Sequence, residues 1–307
     1  MKKKIKNIIA IFLSVAILFF LLYQIGFVNV LENLSKVNLK FLVWILLFYI
    51  ILLSIGNLNY FLLLRKANEE IKFKNLFSLY IFSWALAAIL PGKIGEFSLV
   101  YYLRKNKINI GKSGPSFFID KTISLIITVL FSIIGFYLIF KENIVILSSV
   151  ILILIIASFL LILFSSKARD FIEKFILRKF AVDFKGFYKN TKGILRDYKL
   201  ILTNILITLV RLLITATIIY LCFKSVDEIF GLSIVIVILI TSIISIVNLI
   251  PLSLSGLGYR EVSAVFLYGS FGIESGIIIA AFLYSLIIRY VVVGIVLIYY
   301  NNKLKLK

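Results

Sequence analysis

Leu90-Pro91-Gly92-Lys93-Ile94-Gly95-Glu96 interrupts one long apolar run, and Pro251-Leu252-Ser253-Leu254-Ser255-Gly256-Leu257-Gly258-Tyr259-Arg260-Glu261 interrupts another. Each break has a proline, then glycines, then a glutamate. Proline removes a backbone donor and pushes the preceding residue out of the helical region, so each helix should stop there. The chain around these breaks is 62% hydrophobic, with a mean hydropathy of +1.10. Several of its apolar runs approach twenty residues, the length that spans a bilayer as a helix. These runs lack the period-two alternation of a membrane barrel. The expected fold is therefore an all-α polytopic membrane protein in one integral membrane domain, 1–307.

Continuous spans are predicted at 8–27, 41–64, 116–139, 144–164, 200–223 and 275–299. The first follows a basic start, Met1 to Lys6, and reads as an uncleaved helix. The regions 76–103 and 231–273, which hold the breaks, read as re-entrant hairpins. With that reading, most of the 34 basic residues fall in 1–7, 65–75, 104–115, 165–199 and 300–307. Lys36, Lys40, Lys141 and Lys224 alone fall in the opposite loops. The bias places the basic segments and both termini on the cytoplasmic side of a prokaryotic plasma membrane. Units 41–139 and 200–299 then carry the same three elements in opposite orientation, an inverted-topology repeat.

The net charge of +20 is read as basic loops facing anionic lipid headgroups, not as a nucleic-acid surface. The stretch 165–199 is the main such segment, amphipathic or loop in character. One cysteine and no histidine exclude an intrachain disulfide, His-based acid–base chemistry and the commonest metal ligand. No metal, cofactor or nucleotide motif is expected.

Ionisable residues at membrane depth are costly and mark candidate sites. Glu96 and Glu261 stand behind the breaks, where they either face a cavity or cap the following helix. Gly92, Gly95, Gly256 and Gly258 permit tight turns and close approach of a headgroup. Arg211 and Arg289 lie inside spans and need partners: Glu96, Glu261, Asp120 or a lipid phosphate. Asp120 and Lys121 are adjacent on one helix and should not be each other's main partner. Lys93, Tyr259 and Arg260 complete the candidate substrate-binding set, with no residue assigned as catalytic. Tyr268 is a weaker candidate. Asn57, Asn59 and Asn248 are read as interhelical hydrogen-bonding groups.

The two breaks, Asp120 within Phe118-Ile119-Asp120-Lys121, and Arg289 resemble the lysylphosphatidylglycerol synthase transmembrane-region family, also called flippase-like integral membrane proteins. The resemblance covers essentially the whole chain. It implies a membrane unit that moves an aminoacylated or polyprenyl-linked lipid. In the family's best-known members this unit precedes a soluble lysyl-transferring domain. The last span here ends close to Lys307, so that domain is expected to be absent and a lysyltransferase activity is not expected. The resemblance also implies a glycosyltransferase or lipid synthase as partner, and a homodimer is one arrangement it allows. Two other functions stay open: a membrane-embedded headgroup transferase with Glu96, Asp120 or Glu261 as general base, and an assembly partner of a cell-envelope enzyme.

Overall fold

The structure, a computed structural model, describes residues 17, 19–67, 69–90, 95–140, 150, 153–154, 157, 186–249 and 256–304. Its helices are α1 (Phe27–Ser35), α2 (Lys40–Lys66), α3 (Phe73–Ile89), α4 (Ser98–Lys105) and α5 (Ile110–Ile139), then α6 (Phe187–Leu195), α7 (Tyr198–Val226), α8 (Ile234–Val247), α9 (Tyr259–Gly269) and α10 (Ser275–Leu304). No strand occurs among the described residues. Helices α2, α5 and α7 and the stretch Ser275–Tyr300 of α10 are long and apolar enough to cross a membrane. At 1.5 Å per residue each reaches roughly 40 Å, beyond the ~30 Å hydrocarbon core. Each also turns large apolar side chains outward, among them Val43, Leu130, Leu206 and Ile295. Such faces suit lipid. The chain is an all-α polytopic membrane protein. Most of the spans predicted at 8–27 and 144–164 lie outside the described residues.

Helices α3 and α8 have 17 and 14 residues, about 25 and 21 Å, too short to cross alone. After α3 the chain doubles back. Phe82 of α3 packs edge-on against Tyr102 of α4, with ring centroids 5.3 Å apart. Buried Leu76 and Leu79 of α3 join Leu99 and Leu103 of α4 in one apolar cluster with Tyr60 of α2. The turn requires Gly95, because a Cβ there would run into the Leu86–Ala87 backbone. Helix α9 likewise packs on α8. Gly256 and Gly258 have φ of +86° and +94°, values that L side chains rarely adopt.

The order long, short, short, long thus occurs twice, as α2 to α5 and as α7 to α10. The packing repeats with it. Helix α3 lies on α2 and on α10, while α8 lies on α7 and on α5. The first short helix of each half, α3 and α8, therefore touches a long helix of the other half. Helices α2 and α7 form the central seam.

Two boundaries differ from the sequence reading. Helix α5 begins at Ile110, not 116, with Pro115 inside it. A proline there leaves the Gly111 carbonyl without its intrahelical donor. The Asn190 amide of α6 donates to that carbonyl at 2.9 Å, which removes the penalty that would have ended the helix. The donor comes from the segment read as basic and lipid-facing. Its described part, 186–199, folds as α6 and docks on α5, with Phe187, Thr191 and Ile194 buried and Phe187 packed against Phe118.

Candidate functional site

The polar centre grows from Asp120, which α5 carries into the seam between α2 and α7. It is 3% exposed. Asn59 of α2 donates to its Oδ1 at 2.8 Å, and Asn204 of α7 donates to the Asn59 side-chain oxygen Oδ1 at 2.9 Å. Arg211 Nη1 approaches the same Asp120 oxygen at 3.4 Å. Lys121 Nζ lies 3.5 Å from Asp120 Oδ2 but only 2.7 Å from Glu96 Oε2. Its main partner is thus on the hairpin and not its neighbour in sequence. Four elements are drawn together by one chain of charge-assisted hydrogen bonds, which are strong in a low-dielectric surround.

The second break is built differently. Glu261 is fully buried. Its Oε2 accepts from the Gly258 N–H at 2.7 Å, and its Oε1 accepts from Arg260 Nε at 3.0 Å. It thus caps α9 and satisfies a backbone donor left over at the helix start. Arg260 is fixed further by donating to the Phe282 carbonyl at 3.3 Å and by lying over the Phe282 ring, 5.3 Å from its centroid.

Between these two centres is a cavity of about 290 Å³. Its walls come from both halves: Tyr49, Tyr80, Trp84, Glu96 and Thr128 on one side, and Thr208, Arg211, Thr241, Arg260 and Arg289 on the other. Glu96 and Arg211 also border a smaller recess that reaches Asp120 and Lys121. Glu261 does not line the cavity, so the two break glutamates do not share it.

Arg289 is the exception among the charges. Arg211 has Asp120, Lys121 has Glu96 and Arg260 has Glu261. Arg289 lines the cavity but makes no ion pair among the described residues. An arginine at the centre of a membrane helix costs about 3 kcal/mol on insertion scales. No described carboxylate lies within ion-pair distance to offset that cost. Thr208 Oγ1, which also lines the cavity, is buried without a hydrogen-bond partner among the described residues.

Of the other residues singled out from sequence, Gly92 and Lys93 lie outside the described residues. Gly95 sits tight against the Leu86–Ala87 backbone and Gly256 tight against the Asn248 side chain. Tyr259 opens α9 without lining the cavity. Tyr268 is buried in the core with Phe223 and Phe282. Asn59 forms the interhelical bond expected of it, whereas Asn57 is buried with both amide atoms unpartnered. Residues missed at the site are Asn204, Trp84, Tyr49 and Lys121. For Lys121 and Asn204 the signal was present, a polar residue inside an apolar run. The two aromatic residues carried none. Among the described residues no cluster of acidic or cysteine side chains is arranged to hold a metal ion.

The family model described as Lysylphosphatidylglycerol synthase TM region matches residues 7–296. Neither a curated protein nor a solved structure matches the chain.

Proposed function

Given that the chain belongs to the lysylphosphatidylglycerol synthase transmembrane-region family, we propose that it is a flippase-like translocase for a lipid with a phosphate-bearing headgroup. The headgroup enters the cavity while the hydrocarbon chains stay in the bilayer. The observation that carries this reading is Arg289, a guanidinium without an ion-pair partner among the described residues, in a cavity walled by both halves. Paired short helices in corresponding places of two repeats are the arrangement from which alternating access is built. On this reading the halves have opposite orientation, both termini are cytoplasmic, and the protein works in the plasma membrane of a prokaryote, without a nucleotide. A headgroup transferase is the weaker reading: Glu96, Asp120 and Glu261 are each held by a cation, which opposes a general-base role.

The test is translocation of fluorescent lipids in proteoliposomes. Protein-dependent movement that is lost in Arg289→Gln supports the proposal. Movement equal in the wild type and in that variant, or no movement of any phosphate-bearing lipid by folded protein, removes it.

A further inference from the structure

Building on the translocase reading of the same cavity, we infer that it selects a net-anionic phosphate headgroup carrying no amine, and discriminates against lysylated lipids. The reason is the charge balance of its walls. Arg211, Arg260 and Arg289 face the cavity, and Glu96 is the sole carboxylate among its described lining residues. Glu96 is already bound by Lys121 at 2.7 Å. Asp120 and Glu261 are committed to Arg211 and Arg260. With every carboxylate matched to a cation, the cavity keeps one surplus positive charge, on Arg289. A phosphodiester monoanion balances it.

A lysylated headgroup brings two ammonium groups with that phosphate. They would meet three guanidiniums in a low-dielectric space, where like charges repel strongly. An ammonium reaching Glu96 would have to share that carboxylate with Lys121, which holds its Oε2 at 2.7 Å. The Thr208 hydroxyl, unpartnered among the described residues, can donate to a phosphate oxygen or accept from an ammonium, so the discrimination rests on the guanidiniums.

Trp84 makes a direct assay possible. It lines the cavity and packs on Tyr49 with ring centroids 6.3 Å apart. The chain has two tryptophans, and the other, Trp44, is exposed on the outer face of α2. Trp44→Phe therefore leaves a single reporter in the cavity wall. Its emission is titrated with short-chain phosphatidylglycerol, short-chain lysyl-phosphatidylglycerol and inorganic phosphate.

Saturable binding of phosphatidylglycerol, at least roughly tenfold tighter than of its lysylated form, is expected. Arg289→Gln should weaken it by roughly ten- to a hundredfold, the range for a lost charged hydrogen bond. Arg289→Lys should recover part of that loss, because it keeps the charge but not the fork. Since Arg289→Gln breaks no ion pair, its melting temperature without lipid should match or exceed the wild type. Phosphatidylglycerol should raise the melting temperature of the wild type alone. Equal or tighter binding of the lysylated lipid overturns the inference, as does an unchanged titration in Arg289→Gln. Inorganic phosphate binding as tightly as the lipid would make the ligand a free anion, overturning the headgroup assignment. Lysylated lipid that is bound and moved sinks this selectivity but leaves the translocase standing. Selective binding without movement does the reverse.

Discussion

The Lys121 ammonium of α5 sits 2.7 Å from the Glu96 carboxylate, tying the residue behind the first break to the long helix that follows it. The pair is about one-quarter exposed, 23% and 27% for the two side chains, so it is neither a solvated surface bridge nor fully buried. Removing one partner takes the nearest counter-charge away from the other, next to an apolar seam. Lys121→Met or Glu96→Gln alone should destabilise the protein by about 3 kcal/mol, the low end for broken buried pairs. The double variant should lose less than the two single losses combined. Thermal melts of the purified protein in one detergent would show it, and additive losses would mean the pair is not coupled.

Gly95→Ala should be harmful where Gly269→Ala is not. A Cβ at 95 meets the Leu86–Ala87 backbone, which cannot step aside, whereas one at 269 meets nothing. Overpacking of this kind costs roughly 1–3 kcal/mol. Gly269→Ala should leave stability unchanged or raise it by up to about 1 kcal/mol. Melts of both variants, with cavity binding measured in parallel, separate a packing effect from a ligand effect.

At the membrane edge, Lys66 Nζ lies 2.7 Å from Asp197 Oδ2, and Asp197 Oδ1 accepts from the Leu200 N–H that opens α7. The hydrogen bond from Lys66, and then the backbone bond, lower the Asp197 carboxyl below its ordinary value. A carboxyl whose folded pKa is depressed stabilises the fold above its unfolded pKa. That contribution disappears as pH falls through the folded value. The melting-temperature difference between wild type and Asp197→Asn should be present at neutral pH and shrink below about pH 4. A difference independent of pH would show that the cap acts without its charge.

The proposed opposite orientation of the two halves predicts an accessibility pattern. In a Cys222→Ser background, cysteines at the exposed positions 106 and 229 should sit on opposite sides of the membrane. An impermeant maleimide should label Ile229→Cys in intact cells. Asn106→Cys should react only after permeabilisation. External labelling at 106 would end the inverted arrangement.

The long helices and both breaks could be read from the sequence because their causes are local: apolar run length, proline and glycine. The start of α5 could not. Its Pro115 is tolerated through Asn190, a partner 79 residues from Gly111. That Arg211 needs a partner followed from the cost of a lone arginine in lipid, but the choice of Asp120 over Glu96, Glu261 or a lipid phosphate did not. The two glutamates looked equivalent on the page, yet Glu261 is drawn into its own helix start by Gly258 and Arg260 while Glu96 is drawn out by Lys121. That difference depends on which cation reaches each carboxylate, and spacing does not encode it.

Because α3 rests on α10 and α8 rests on α5, neither hairpin belongs mechanically to its own half alone. A shear of α3 along α10 shifts the helix that carries Arg289. A shear of α8 along α5 shifts the helix that carries Asp120 and Lys121. On the translocase reading, the two ends of the cavity would then move together, each hairpin acting on charged residues carried by the opposite half.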